Sequence, residues 1–254
     1  MKIYYIKVYG HDMVMFDSIG EVGKIKDNPP FTAYAAQHLK ELQGVRVVRV
    51  TAEAVGKVDS VLELCCGAGF SSCSIQEINR PARHVAVDIS EDCVQSVARS
   101  LPKVSAVAAD CYQYDMGDKS WDWVHSDFNH WTAMALLKGK DTVLSNMFAG
   151  AKQYVSLTDS ALFGVYRFRK NLEAYARAMG RDLIHWEQYY PALRDHILEK
   201  FGFTLVKVTA FDGYSVGQLL FKRGAAGGNI DFTVNKGSLD IELIKVESVR
   251  QKSI

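Results

Sequence analysis

Four carboxylates stand where an open α/β sheet would gather them. Glu63 lies in the apolar run VLELCC (61–66), and Asp88 closes the run RHVAVDIS (83–90). Asp110 ends VSAVAAD (104–110), and Asp127 follows the apolar part of WDWVHSDFN (121–129). Read as buried parallel strands, these runs present their acidic residues at the carboxyl ends, where open α/β sheets bind ligands. Between the first and second runs lies Gly67-Ala68-Gly69, followed by the helix-like FSSCSIQEINR. Strand, glycine turn and helix in succession bring backbone close to a ligand, because no side chain intervenes at the turn.

The neighbours of the turn narrow the ligand. Gly69 is followed by Phe70-Ser71-Ser72, without the lysine of a phosphate-binding loop, and Ser72 stands where a dinucleotide fingerprint wants its last Gly or Ala. Glu63, four residues before Gly67, would repel a pyrophosphate. A row of carboxylates suits a phosphate-free nucleoside that carries positive charge. Asp88 follows Gly69 by 88 − 69 = 19 residues, the spacing at which an acidic residue grips a ribose diol. Asp110 is then placed for an adenine amino group, with Ile89, Cys111, Cys65 and Cys66 beside the same ligand.

ELCCGAG, VAVDIS, AADC and SDFN, in this order, resemble the first four motifs of the class I S-adenosylmethionine-dependent methyltransferases; Cys65 stands where the family's first glycine usually sits. The resemblance spans about 58–223. It implies a Rossmann-like α/β fold with a seven-stranded, mostly parallel sheet of order 3-2-1-4-5-7-6 and one antiparallel strand. It also implies S-adenosyl-L-methionine as cofactor, held by Glu63, Cys65, Cys66, Gly67, Gly69, Asp88, Ile89, Asp110, Cys111 and Asp127. Glu63 is expected to face the methionine end.

Methyl transfer from a sulfonium is an in-line displacement, so catalytic residues are few: the protein holds donor and acceptor in line and, for some acceptors, removes a proton. Asp127, Asn129 and His130 are the candidates. A nucleic-acid base amine fits first, since amino-methyltransferases place a polar residue and an aromatic here, although SDFN lacks their two prolines. An intact NPPF at Asn28–Phe31 lies only 63 − 28 = 35 residues before Glu63 and reads as a loop and helix entry. A small-molecule O- or N-methyltransferase is the alternative, since WDWVHSD and TDSALFG resemble catechol O-methyltransferases. Asp127 and Asp159 would then be the divalent-metal ligands, but Ser160 replaces the family's Asn ligand, and no metal is expected. A third alternative is a non-catalytic subunit of a larger assembly. Arg167, Arg169, Lys170, Arg177 and Arg181, interleaved with Tyr166, Phe168 and Tyr175, could grip phosphates and stack bases; the same pattern also describes a solvated helix face.

The elements that must position these residues follow from patterning. The chain has 254 residues, 48% hydrophobic and 23% charged, with net charge +1, so it can bury a sizeable core and carries no global pull toward nucleic acid or membrane. No apolar run reaches membrane-spanning length and the start does not read as a signal core, so a soluble, cytoplasmic protein is expected. The five cysteines, without C-x-x-C, read as reduced thiols. Residues 1–57 form an N-terminal extension: a hairpin over 2–18, a helix over 32–43 and a strand at VRVVRV (45–50). Residues 58–223 form the cofactor domain. It has a helix capped by Ser90, a helical region over 130–151, a strand at 152–160, helices over 168–179 and 191–201, and an antiparallel hairpin of 203–211 with 214–223. Residues 224–254 read as a flexible GAAGG break and a C-terminal β-hairpin.

Overall fold

The computed structural model describes residues 2–8, 11–16, 47–67, 69–127, 130–159, 184, 186–211, 217–225, 230–235 and 246–253. In chain order the elements are β1 (Lys2–Val8), β2 (His11–Phe16), α1 (Val47–Val55), β3 (Ser60–Leu64), α2 (Phe70–Ile78), β4 (Arg83–Asp88), α3 (Glu91–Ser100) and β5 (Ser105–Ala108). There follow β6 (Trp121–Ser126), α4 (His130–Leu137), α5 (Val143–Gly150), β7 (Ala151–Asp159), α6 (Trp186–Leu193), β8 (Phe203–Phe211), β9 (Gly217–Arg223), β10 (Asp231–Asn235) and β11 (Val246–Ser253). The main sheet has eight strands in the order β10-β8-β9-β7-β6-β3-β4-β5. Without β10 this is the expected 3-2-1-4-5-7-6 arrangement, and β9 is the strand that runs antiparallel to β7 and β8.

Alternation along the central strands sends successive side chains to opposite faces. Leu62, Leu64, Val124 and Phe221 pack on one face with Val143, Leu144, Met147 and Phe148 of α5 and with Leu193 of α6. Val61, Trp123 and Leu220 pack on the other with Val48, Ala52 and Val55 of α1 and Ile75 of α2. All five residues of β3 are buried, as expected of a parallel strand covered on both faces.

Two expectations are corrected. Residues 47–50 belong to a helix, not a strand. The β-branched run hides a helical stripe in which Val48, Thr51, Ala52 and Val55, spaced i, i+3, i+4 and i+7, are buried. Residues 191–201 do not begin a helix at Pro191. Helix α6 starts at Trp186 with Pro191 inside it, and continues through a wider π turn over Arg194–Leu198 to stop at Gly202 in a left-handed conformation. The turn and most of the second strand of the expected C-terminal hairpin, at 236–245, lie outside the described residues. β10 adds to the main sheet parallel to β8, while β11 pairs antiparallel with β1. β11, β1 and β2 form a separate three-stranded sheet, with the N-terminal hairpin paired as expected from Ile3↔Phe16 to Val8↔His11. The helices expected at 32–43 and 168–179, the NPPF stretch and the basic cluster Arg167, Arg169, Lys170, Arg177 and Arg181 lie outside the described residues.

Candidate active site

The glycine turn is built from unusual backbone. Cys65 sits at φ +56°, and Gly67 and Gly69 at φ +51° and +93°. The turn closes with the Gly69 amide donating to the Cys66 carbonyl at 3.0 Å. A Cβ on Gly69 would stand 3.0 Å from Val97 Cγ2, so this glycine lets α2 approach α3. A Cβ on Gly67 would meet nothing within 4 Å, so the turn presents bare backbone to open space at that point.

Backbone hydrogen bonds beyond the strand ends then gather the acidic residues. The Cys66 amide donates to Val87 O, Ala109 to Asp88 O, and Asp127 to Leu64 O. Asp88, half-buried at the end of β4, accepts from Gly67 N at 2.8 Å and from Ser90 N at 2.9 Å. Burial raises its pKa, against the pull of the Ser90, Gly67 and Ile89 amides. The Cys65 thiol is hydrogen-bonded with that of Cys111; this contact first, then burial and the nearby charges of Cys111, Asp88 and Asp127, pushes its pKa well up. Cys66 is likewise raised, by burial and then by Glu63, Asp88, Cys93 and Asp127. Both thiols are thus held protonated and poorly nucleophilic. Asp110, half-buried, accepts from Tyr112 N and directly precedes Cys111, whose thiol meets that of Cys65.

Cys65, Cys66, Gly67, Asp88, Cys111 and Asp127 thus come together, with Ile89 and Asp110 next to Asp88 and Cys111 in the chain, while Gly69 stands behind them and spaces the helices. Glu63 lies deeper than expected. Its side chain is 0% exposed, beneath α2, so it offers no surface to a ligand in the crevice. Its Oε2 accepts from the Ser72 hydroxyl at 2.5 Å and lies 3.1 Å from His84 Nε2, whose Nδ1 is 2.9 Å from Gln76 Nε2. The residue is buried because β3 is central, and its strand-end position in the sequence does not reveal that a helix covers that face.

Asp127 is the carboxylate that reaches the crevice, with 15% of its side chain exposed. Its Oδ1 lies 3.2 Å from Nε2 of the fully buried His125, and its Oδ2 accepts from Ser71 Oγ at 2.5 Å. Burial works against the charge, but the His125 charge and hydrogen bond, with Ser71 and Thr158, take the Asp127 pKa below the ordinary carboxylate value. The sequence reading passed over His125 and Ser71. Period-two spacing was the available signal for His125, since it shares a strand face with Asp127. Nothing local marks Ser71. Asn129 lies outside the described residues, as do the side chains of His130 and Asp159.

The arrangement fits a cationic, phosphate-free nucleoside: bare backbone at Gly67, a carboxylate at β4 ready for a diol, and an ionised carboxylate at β6 ready for a positive group. Residues 61–149 match the family model described as a methyltransferase domain. Among solved structures, the putative O-methyltransferase from Nostoc punctiforme is similar at 12% identity and TM-score 0.59, over 78% of this chain and 61% of that one. The Haloferax volcanii putative methyltransferase, solved in complex with the Trm112 activator, is similar at 15% identity and TM-score 0.55, over 78% and 98%. Magnesium protoporphyrin IX methyltransferase from Synechocystis, with S-adenosylhomocysteine bound, is similar at 18% identity and TM-score 0.50, over 74% and 83%. None of the curated proteins compared matches the sequence. Among the described residues, no helix is long and apolar enough to cross a membrane. Residues 61–149 thus match a methyltransferase domain within a sheet of order 3-2-1-4-5-7-6, and the chain has the Rossmann-like fold of the class I methyltransferases.

Proposed function

We propose that the chain methylates an amino group on a nucleic-acid base, with Asp127 orienting the reacting ends. The observation that carries this reading is the state of Asp127: a carboxylate at the crevice whose pKa is held below the ordinary range by His125, Ser71 and Thr158. Such a group is a weak proton acceptor but a strong hydrogen-bond acceptor. It suits an acceptor that reacts through its own nitrogen lone pair and needs its N–H hydrogens aimed, rather than a hydroxyl that must first lose a proton. S-adenosylmethionine supplies the electrophilic methyl. Asp88 would hold the ribose hydroxyls, the Gly67 backbone would close on the nucleoside, and Asp110 would meet the adenine amine. Asn129 and His130 come two and three residues after Asp127 and would line the acceptor side. The basic and aromatic residues between Arg167 and Arg181 support a polyanionic acceptor by composition.

The test is a partition of label. Host extract is incubated with the enzyme and methyl-labelled S-adenosylmethionine, then digested separately with nuclease and protease. Label released by nuclease alone is expected. Label in low-mass material untouched by nuclease would replace the base amine with a small-molecule acceptor. Calorimetric titration with S-adenosylhomocysteine, on wild type and on Asp88→Ala, checks the cofactor site. Binding by wild type and loss in the variant are expected, and equal binding by both would remove the ribose assignment.

A further inference from the structure

Asp127 is the point at which two directional hydrogen-bond chains end. The first begins at the indole of Trp123, which can only donate; its Nε1 lies 2.8 Å from Ser156 Oγ. The Ser156 hydroxyl, having accepted there, has its own hydrogen free, and it lies 2.7 Å from His125 Nδ1. In the neutral ring, with Nδ1 accepting from Ser156, the imidazole hydrogen belongs on Nε2, 3.2 Å from Asp127 Oδ1; in the cation both nitrogens donate. The second chain starts in α1. Thr51 Oγ1 donates to Gln218 Oε1, and Gln218 Nε2 donates to Thr158 Oγ1 at 3.0 Å. Thr158, having accepted, hydrogen-bonds Asp127. Ser71 adds a donor from α2. A carboxylate fed by donors on both oxygens is fixed in rotation and held as an anion.

We infer that His125 is a positioning residue for the methyl-transfer site, presenting a fixed Nε2–H that orients Asp127 toward the cationic methionine end of the cofactor. The inference rests on the reading that Asp127 orients the reacting ends, and adds that the methionine ammonium is one of them. It gives Asp127 the place that the sequence suggested for Glu63, whose carboxyl group is sealed beneath α2. The groups facing the pair come from every neighbouring element: Glu63 from β3, paired in register with His125; Cys65 and Cys66 from the following loop; Ser71 from α2; Ser156 and Thr158 from β7. Burial works against the His125 cation, but Asp127, then Glu63 and Ser156, raise its pKa overall. With Nδ1 turned to Ser156, Nε2 keeps its hydrogen in both ionisation states of the ring.

The test uses the full chain and S-adenosylhomocysteine, which retains the methionine ammonium. Wild type, Asp127→Asn, His125→Gln and His125→Leu are titrated by calorimetry from about pH 3 to 8, so that the acid limb set by the lowered Asp127 pKa falls within the range. Loss of a charge-assisted hydrogen bond is expected to weaken binding at least about tenfold in His125→Leu. The acid limb of its binding profile should move up by about one pH unit or more as Asp127 becomes easier to protonate. His125→Gln, which keeps a donor, should recover most of the affinity. An unshifted acid limb with near-wild-type affinity in His125→Leu, beside a large loss in Asp127→Asn, overturns the role of His125 alone. Wild-type binding by Asp127→Asn overturns the reading beneath it and the inference with it. Should His125→Leu fail to fold, nitrogen-resolved NMR of the wild-type imidazole decides. A persistent Nε2–H below and above the ring's titration supports the inference, and an Nδ1–H neutral form overturns it.

Discussion

The two glycines of the turn can be separated by one added methyl group each. Both adopt left-handed backbone, but their surroundings differ: Gly67 has nothing within 4 Å of a built Cβ, while Gly69 has Val97 Cγ2 at 3.0 Å and Leu101 Cδ1 at 3.5 Å. For Gly67→Ala the cost is the left-handed conformation, about 1–2 kcal/mol, offset by about 0.4–1 kcal/mol from the less flexible unfolded chain. The net loss should stay near 1 kcal/mol, and at about 2–4 °C per kcal/mol for a chain of this size the melting temperature should fall by no more than about 4 °C. Gly69→Ala adds a clash with buried Val97, of the order of 1–3 kcal/mol, at a φ of +93° that lies beyond the usual left-handed well. Its melting temperature should fall by about 5–10 °C.

Ligand affinity should rank the other way. The Gly67 methyl would occupy the space in which the cofactor's nucleoside meets the backbone, and overpacking of about 1–3 kcal/mol there corresponds to roughly 5–150-fold weaker binding. The Gly69 methyl points into α3, behind the crevice, and should cost less than about fivefold at temperatures where the variant is folded. Thermal melts and S-adenosylhomocysteine titrations on both variants give the two rankings. Wild-type affinity in Gly67→Ala, or a larger melting shift there than in Gly69→Ala, would refute the assignment of which glycine faces the ligand.

Two further outcomes concern charge. The raised pKa of His125 means its pair with Asp127 stabilises fully below the unfolded histidine value of about 6.5 and fades as pH rises through the folded value. The lowered pKa of Asp127 means the same pair stabilises above the unfolded aspartate value of about 3.9 and fades as pH falls through the folded one. The melting-temperature gap between wild type and His125→Asn should therefore be widest between about pH 4 and 6.5 and narrow on both sides; a gap that is flat from pH 4 to 9 would contradict the pairing. At the opposite end of the sheet, Asp122 accepts from Asp59 N, Ser60 N and Ser60 Oγ at 3.1, 2.9 and 3.0 Å, tying the start of β6 to the start of β3. Asp122→Ala should cost about 1–3 kcal/mol in denaturant unfolding while leaving S-adenosylhomocysteine affinity unchanged, because it lies at the far edge from the crevice. A change in affinity at unchanged stability would contradict that separation.

What could be read from the sequence was whatever a strand or turn writes locally. The run VLELCCGAG shows an apolar strand broken only by Glu63 and the glycine spacing within nine residues, and the crevice at Gly67, Asp88 and Asp127 follows from where parallel strands end. Cover was not legible. Glu63 and Asp127 look alike in sequence, each a carboxylate near the end of an apolar run, yet α2 seals one and leaves the other partly open. That difference is set by Ser71 and Ser72, adjacent on one turn of α2, each donating to a different carboxylate. The same limit explains α1: VRVVRV is β-branched enough for a strand, and only the sheet face waiting at Val61, Trp123 and Leu220 makes the helical stripe of Val48, Ala52 and Val55 the better way to bury it. It also explains β10, whose parallel pairing to the edge of β8 is a long-range contact that no local turn writes. The residues most informative about function here are therefore pairs rather than motifs. His125 means little as a lone histidine in a buried strand. It gains a role only once Trp123, Ser156 and Asp127 fix which of its nitrogens carries the hydrogen, and two strands, β6 and β7, must be aligned before that direction exists.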